Sequence, residues 1–216
     1  MKKTKLSALV VGAVMVGGLL STWQWNVVRE VIDGDTLVIG NGTKVRLVGI
    51  DAPELEHCGG IEAKGELEKL VLEKKVSLSQ IKVDNFRRLL AVVKVDSRVI
   101  NLKMLESGWA KWDGTTNEMG ERFKNMANEA REKRLGVYSA KCRESENKDC
   151  IIKGNIEKRS GSVTGGRKFY FFPGCSEYKK TIVEKEEGEE WFCTEDEAVK
   201  AGYTKGTNCF GKVFAW

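Results

Sequence analysis

Two short stretches near the start of the chain decide the fold and the candidate site. Residues 31–38 read VIDGDTLV, and residues 45–54 read VRLVGIDAPE. Both are rich in β-branched and apolar residues, which predicts β-strands. Asn41-Gly42 lies between them and is a strong signal for a two-residue hairpin turn. We therefore expect an antiparallel strand pair.

That turn would set the register of the hairpin. Asp35 would face Val48, and Arg46 would face Leu37. Asp35 and Arg46 would then share one face of the sheet, one diagonal step apart, where side chains of this length meet. The register alone therefore predicts a carboxylate beside an arginine.

The second stretch ends on two more carboxylates, Asp51 and Glu54, at the same end of the fold. Carboxylates gathered at one place repel each other unless a cation or proton lies between them. Hard oxygen ligands favour calcium or magnesium over zinc, and an arginine beside the metal can bind a phosphate at two points. Taken singly, these motifs are typical of turns and loops. Together they predict a site for phosphoryl transfer, which depends on charge stabilisation.

The joint pattern resembles the signature of the staphylococcal nuclease, or thermonuclease-like, family. The resemblance covers residues from about 25 to 140. It implies Ca²⁺ ligands and catalytic residues at defined positions. The metal ligands would be Asp35 and Asp51 through their carboxylates and Ala52 through its carbonyl oxygen. The catalytic residues would be Arg46 for the phosphate, Glu54 as the base or water-orienting group, and Arg88 on the leaving-group side.

Arg88 lies in a segment that departs from the family pattern. The family reads D-x-[YF]-G-R-x-L-A, and residues 84–91 read DNFRRLLA. Arg88 matches the family arginine, and Arg87 stands where the glycine belongs. A glycine at this point serves a turn with positive φ, which arginine disfavours. Phe86 keeps an aromatic ring where the family stacks a base on a tyrosine.

The order of the predicted elements is three strands, a helix, two strands and two helices. This order predicts an α+β fold whose main body is an OB-fold, a five-stranded Greek-key β-barrel with three helices. The predicted strands cover residues 25–32, 36–39, 43–50, 76–83 and 89–95. The predicted helices cover residues 61–76 and 99–106, and a third helix starts at a capping box over residues 115–118.

We divide the chain into four segments. Residues 1–24 are a signal peptide or an N-terminal membrane anchor, since three lysines precede an uncharged apolar run. Residues 25–140 are the nuclease-like domain, residues 141–149 a linker, and residues 150–216 a small cysteine-containing module. Signal and anchor remain alternatives, and both put the remainder outside the cell or on the outer face of its membrane.

The chain has six cysteines, all of which follow the export segment. An even number in an exported chain favours disulfides over a structural zinc site, which needs four ligands. Cys142 and Cys150 lie close together in a polar segment, so a local loop between them is plausible. The pairing of the other four stays open. We expect the acidic run over residues 184–190 to be a solvated surface.

The net charge of +5 fits a polyanionic partner without identifying one. The net charge and the predicted phosphoryl-transfer site together predict a calcium-dependent endonuclease or phosphodiesterase that acts on single-stranded DNA and RNA. The resemblance implies products with 3′-phosphates. We expect a monomer. The alternatives are a non-catalytic OB-fold module that binds nucleic acid or protein, and a phosphodiesterase for small nucleotides.

Overall fold

The computed structural model describes residues 26–157 and 166–209, so the candidate signal or anchor segment lies outside it. The helices are α1 (Gly60–Val71), α2 (Ile100–Glu106), α3 (Gly120–Glu132) and α4 (Glu195–Lys200). The first eight strands are β1 (Val28–Val31), β2 (Thr36–Ile39), β3 (Lys44–Leu47), β4 (Ile50–Asp51), β5 (Ser77–Val83), β6 (Leu89–Val95), β7 (Arg98–Val99) and β8 (Lys111–Trp112). The others are β9 (Arg143–Glu144), β10 (Ile152–Glu157), β11 (Arg167–Phe171), β12 (Val183–Glu184), β13 (Trp191–Phe192) and β14 (Thr204–Lys205).

The main sheet has the strand order β1-β2-β3-β6-β5, and β7 adds to β6. Strands β3 and β6 run parallel, and the other neighbours run antiparallel. An isolated bridge between Val27 and Lys75 brings the start of β1 near the start of β5. No continuous ladder joins β1 to β5 in the part of the chain that the structure describes. The mixed helix and strand content agrees with the prediction, but a closed five-stranded Greek-key barrel is not confirmed.

The helices cover this sheet with faces that the sequence spacing anticipates. Helix α1 buries Ala63, Leu67 and Val71, which recur every fourth residue. Helix α3 buries Phe123 and Ala127 in the same way. These side chains join the strand residues in one continuous apolar core. That core is the support against which the candidate site is built.

The hairpin register differs from the prediction by one residue. Thr36, and not Leu37, lies opposite Arg46. The turn contains residues 40–42, and Gly42 has a φ of 80°, the left-handed conformation common at the end of three-residue hairpin loops. Asp35 lies in the bend before β2, so strand alternation does not set the direction of its side chain.

Two predicted helix boundaries are also wrong. Helix α3 begins at Gly120 with no side-chain cap, because Asn117 accepts the hydrogen bond of the Met119 N–H and makes the local turn that the capping box was expected to make. Helix α1 ends at Val71, before the predicted residue 76. Leu72 leaves the helical conformation, and Glu73, with a φ of 60°, turns the chain and donates its N–H to the carbonyl oxygen of Val28 in β1.

Residues after 150 form a second four-stranded sheet, in the order β13-β10-β11-β14. It has its own apolar cluster, which includes Ile152, Tyr170 and Phe172. The predicted linker contains β9, which pairs antiparallel with β12. The chain between the two sheets is therefore structured here, and the predicted domain boundaries stay predictions.

Three disulfides connect the cysteines: Cys58–Cys142, Cys150–Cys193 and Cys175–Cys209. The expected local loop between Cys142 and Cys150 is therefore wrong. Cys142 instead lies beside the loop of Cys58, since its carbonyl accepts the N–H of Lys185, whose own carbonyl accepts the N–H of Cys58. Across residues 26–157 and 166–209, no helix has the length and apolar character needed to cross a bilayer.

Candidate active site

Arg46 links two of the predicted carboxylates into one cluster. Its Nη1 lies 2.5 Å from Oδ1 of Asp35, and its Nη2 lies 2.8 Å from Oδ1 of Asp51. Burial acts to lower the pKa of Arg46, but Asp35 and Asp51 outweigh it and raise that pKa. The guanidinium stays charged and still has N–H donors beyond the two it uses here. The sequence prediction that Asp35 lies beside Arg46 is confirmed, although the register that suggested it is not.

Asp35 is the most enclosed carboxylate of the cluster, with 2% of its surface exposed. Its Oδ1 accepts a hydrogen bond from the Thr36 hydroxyl at 2.9 Å, and its Oδ2 accepts one from the Ala52 N–H at 3.1 Å. Burial raises the pKa of Asp35 to about 7, although Arg46 acts in the opposite direction. A further cation near this side chain would stabilise its ionised form.

The bend that carries Asp35 packs tightly against its neighbours. A Cβ on Gly34 would lie 2.6 Å from the Cβ atoms of both Ala52 and Ala63, which is too close for any side chain. Asp33 accepts the N–H of Asp35 at 3.0 Å and so closes the bend. The glycine of the Asp-Gly-Asp motif is thus required by the packing of the site on helix α1.

Glu54 lies in the loop between β4 and α1, and its surface is exposed. Its carbonyl oxygen accepts the N–H of His57 at 2.9 Å, and a Cβ on Gly60 would lie 2.0 Å from that oxygen. The loop is therefore fixed against the start of α1. Ala52 and Glu54 line a cavity of about 260 Å³ together with Asp51.

Arg88 lies in the loop before β6. Its Nε donates to Oδ2 of Asp84 at 2.8 Å, and its guanidinium carbon is 5.4 Å from the centre of the Phe86 ring. Leu90 is opposite Arg46 in the parallel pair of β6 with β3, so Arg88 lies two residues before the position level with Arg46. Arg87 has a φ of 61°, the conformation that a glycine would adopt freely.

Lys111 belongs to the site although the sequence reasoning did not select it. It lies in β8 directly opposite Asp51 in β4. Its ammonium pairs with Glu187 and lies 3.7 Å from the carboxylates of both Glu184 and Glu186. Residues 184–187, which we term the acidic segment, therefore dock beside the candidate site.

The expectation that this acidic run is a solvated surface is wrong. The Glu186 side chain is fully buried and lies 2.8 Å from Nε of Arg143. Burial raises the pKa of Glu186, while Lys111 and Arg143 oppose that rise. Paired cations make the burial of these carboxylates tolerable. No local sequence pattern reveals this pairing, because its partners lie more than forty residues away.

The same cavity has a second wall that comes from the chain beyond residue 150. That wall consists of Ile156, Gly166 and Lys168 together with Glu186 and Glu187. The cavity thus lies between the first sheet and the second unit. Both parts of the chain define its shape.

Two further side chains near the site, His57 and Trp112, pack against neighbouring groups. His57 lines the cavity and packs on Gly188, where an added Cβ would lie 2.7 Å from the imidazole Nε2. Trp112 is half-buried against the main core, and its Nε1 lies 3.4 Å from the carbonyl oxygen of Thr115. It is therefore a core residue and not an exposed platform for a base.

The donor set of the site suits a hard cation. The described residues contain no group of three or more His, Cys, Asp or Glu side chains arranged to hold a metal. Asp35 and Asp51 still bring two carboxylates to one guanidinium, with the Ala52 backbone beside them. Calcium takes six to eight oxygen ligands, so water and a substrate phosphate would have to complete its shell. The residues present fit such an ion.

Comparison with known proteins shows which sequences this chain resembles. A family model described as Staphylococcal nuclease homologue matches residues 44–140. The "Probable endonuclease LCL3" of Verticillium alfalfae is 30% identical over 149 residues, which cover 60% of this chain and 50% of that protein. An "Uncharacterized endonuclease" of Haemophilus influenzae is 42% identical over 87 residues, covering 38% of this chain and 49% of that protein.

A second "Probable endonuclease LCL3", from Yarrowia lipolytica, is 29% identical over 141 residues, which cover 58% of this chain and 62% of that protein. The chain spans about half the length of the first two relatives. The matched region contains Arg46, Asp51, Glu54 and Arg88. Over residues 44–140, the chain belongs to the staphylococcal nuclease homologue family.

Proposed function

We propose that this chain is a nuclease that hydrolyses phosphodiester bonds in single-stranded DNA and RNA with the help of Ca²⁺. The observation that carries the proposal is the Asp35–Arg46–Asp51 cluster, with N–O distances of 2.5 and 2.8 Å, beside the exposed Glu54. Two relatives carry the names "Probable endonuclease LCL3" and "Uncharacterized endonuclease", which support the same activity. We propose a monomer as the working form.

Asp35, Asp51 and the Ala52 carbonyl would hold the calcium ion. When bound, the ion supplies positive charge to a phosphate oxygen. Arg46 has donors left for the same phosphate and stabilises the charge that develops at phosphorus. These groups orient the scissile phosphate without a covalent intermediate.

Glu54 lines the cavity and is exposed, so water can reach its carboxylate. It orients a water molecule and accepts its proton as the water oxygen bonds to phosphorus. The bond from phosphorus to the 5′-oxygen breaks in line, and the leaving oxygen takes a proton from solvent water, which leaves a 3′-phosphate and a free 5′-hydroxyl. Arg88 stabilises the leaving oxygen once its guanidinium turns from Asp84 toward the substrate.

Single-stranded substrate is the choice that the surface supports. The cavity of about 260 Å³ is much smaller than a duplex, and 66% of the Phe86 surface is exposed beside Arg88. An exposed aromatic ring can stack on any base of a single strand. Neither feature reads a 2′-hydroxyl, so both DNA and RNA are proposed substrates.

The test is degradation of end-labelled single-stranded DNA, duplex DNA and RNA by the purified full chain, with Ca²⁺ and with chelator. Glu54→Gln should lower kcat by about a hundredfold or more, because general-base catalysis contributes that much. Glu56→Gln is the matched control, since Glu56 is also exposed two residues away. It should keep wild-type activity.

Each outcome of this assay decides between hypotheses. Equal cutting with calcium and with chelator would disprove the calcium mechanism. Binding without cutting of any polymer would favour the non-catalytic module. Cutting of dinucleotides but not of longer strands would favour a phosphodiesterase for small nucleotides. Mapping the product ends tests the 3′-phosphate.

We also propose that the protein is exported, with residues 1–24 as a signal or an anchor. Its three disulfides fit an oxidising compartment, because such bonds rarely persist in the cytosol. Fractionation of the native cells, with a protease applied from outside, separates a secreted form from an anchored one. Recovery of the protein in the cytoplasm, protected from the external protease, would contradict export.

A further inference from the structure

We propose that the second unit contributes a substrate-binding residue, Lys168, which binds a phosphate of the polynucleotide next to the scissile bond. This inference rests on the proposed function and specifies it further. It makes the second unit part of the active site and not an appended module. The argument depends on position, on charge and on rigidity.

The position of Lys168 follows from the β10–β11 hairpin. Lys168 in β11 pairs with Ile156 in β10, and both residues line the cavity. The opposite wall of that cavity is the segment from Asp51 to Glu54. Asp51, whose carboxylate binds Arg46, lines the same cavity as Lys168. The phosphate next to the scissile bond is therefore placed beside this lysine in our proposal.

The charges around the cavity leave Lys168 as the cation suited to an additional anion. Arg46 is bound by two carboxylates, and Lys111 pairs with Glu187. Within residues 26–157 and 166–209, Lys168 pairs with no carboxylate. Its ammonium lies 3.5 Å from the Ala201 carbonyl oxygen and 4.9 Å from the centre of the Tyr203 ring. Such weak contacts leave its positive charge available to a phosphate.

The acidic residues of the same wall do not cancel this charge. Glu187 pairs with Lys111, and Glu186 is fully buried against Arg143. Their negative charges are thus balanced by cations of their own. Among the described residues that line the cavity, Lys168 is the cation that the second unit presents to a phosphate.

The wall that carries Lys168 is held rigidly against the first sheet. The buried Glu189 carboxylate accepts the N–H groups of Ile156 at 2.7 Å and Glu184 at 2.8 Å. It thereby ties β10 to the acidic segment, which docks on Lys111. The Cys58–Cys142 disulfide fastens the loop of Glu54 to the same region. Because the wall is preorganised, binding a phosphate there needs little additional ordering.

The test is binding of a fluorescent single-stranded oligonucleotide to the full chain in chelator, measured by anisotropy over a series of salt concentrations. Lys168→Gln should weaken binding by about tenfold. It should also reduce the slope of log affinity against log salt by about 0.7, the value for one single-strand phosphate contact. Lys168→Arg keeps the charge and should keep the slope.

Lys200→Gln is the matched control, because Lys200 is an exposed lysine of helix α4 that does not line the cavity. It should leave the affinity and the slope unchanged. If Lys168→Gln and Lys200→Gln behave alike, the inference is wrong. Thermal midpoints of all three variants show whether each is folded, and a structural role would not shift the salt slope alone.

Kinetics separate this inference from the proposed function. If the wild-type chain cuts single strands, Lys168→Gln should raise KM about tenfold with little change in kcat. Unchanged KM would overturn the role of Lys168 and leave the nuclease intact. A wild-type chain that does not cut, but whose oligonucleotide binding depends on Lys168, would overturn the nuclease and leave the binding role.

Discussion

Arg87 occupies a left-handed backbone conformation that L-amino acids disfavour. Its replacement by glycine tests whether the loop from residue 84 to 88 is strained at this position. Its φ is 61°, and its side chain is exposed, so no packing is lost on truncation. The turn depends on the backbone bond from the Arg87 N–H to the Asp84 carbonyl, at 3.1 Å, which glycine can also make. Arg87→Gly should therefore stabilise the protein.

The size of the effect follows from two opposing contributions. The left-handed region costs an L-residue about 1–2 kcal/mol. Glycine costs about 0.4–1 kcal/mol through the greater freedom of the unfolded chain. The expected gain is therefore about 0.5–1 kcal/mol in the free energy of unfolding, or roughly 1–4 °C in Tm for a chain of this size.

Arg87→Ala is the control, because alanine removes the charge and keeps the Cβ in the strained conformation. The assay is thermal and urea unfolding of the three proteins with the disulfides intact. Arg87→Gly should be more stable than Arg87→Ala, which should resemble the wild type. If the glycine variant is no more stable than the alanine variant, the loop is not strained at this residue and the reasoning fails.

Three further predictions concern the support of the site. Asn101→Ala should cost about 3 kcal/mol in urea unfolding, since the buried Asn101 amide bonds three backbone groups, one of them the Val93 N–H at 2.9 Å. Cys58→Ser with Cys142→Ser should lower the free energy of unfolding by about 4 kcal/mol, because that disulfide closes a separation of 84 residues. Burial raises the pKa of Glu189 to about 7 from its ordinary 4.5, so the folded state keeps a proton that the unfolded state has released between those values. The free energy of unfolding of the wild type should thus fall by roughly 2–3 kcal/mol relative to Glu189→Gln as the pH rises from about 4.5 to 7. Urea unfolding of both proteins at each pH measures this difference.

Each of these predictions has an outcome that contradicts it. An Asn101→Ala variant as stable as wild type would mean that water satisfies the freed groups. Equal stability of the serine double variant and the oxidised wild type would show that the disulfide does not restrict the unfolded chain. Parallel pH profiles for wild type and Glu189→Gln would show that Glu189 has the same pKa in the folded and unfolded states.

The part of the site that is formed by residues close together in the chain could be predicted from the sequence. Asp35, Arg46 and Asp51 lie within seventeen residues, in the β2–β3 hairpin and the segments directly before and after it. This short separation along the chain brings them to one region of the fold. The match to the family pattern also places Arg87 at a position where a glycine would be expected, and its φ of 61° fits that. Such features depend on backbone preferences that operate over a few residues.

The register of the β2–β3 hairpin could not be predicted from the sequence pattern. Asn41-Gly42 suits a two-residue turn, but the chain uses residues 40–42 and shifts Thr36 opposite Arg46. Alternative turns of similar energy differ by one residue, and packing of the strands on the core selects between them. Asp35 reaches Arg46 because the bend at Gly34 packs on helix α1.

The sequence by itself determined the chemistry of the cluster: which carboxylates and which arginine lie in the β2–β3 hairpin and the segments directly before and after it. The tertiary structure alone decided what faces that cluster. A run of glutamates can equally well face solvent or pair with buried cations. Here its burial depends on ion pairs with Lys111 and Arg143. A lysine in β11 has no local mark of a binding role. Contacts between residues so far apart in the chain form only when both sheets are packed, because no local preference encodes them.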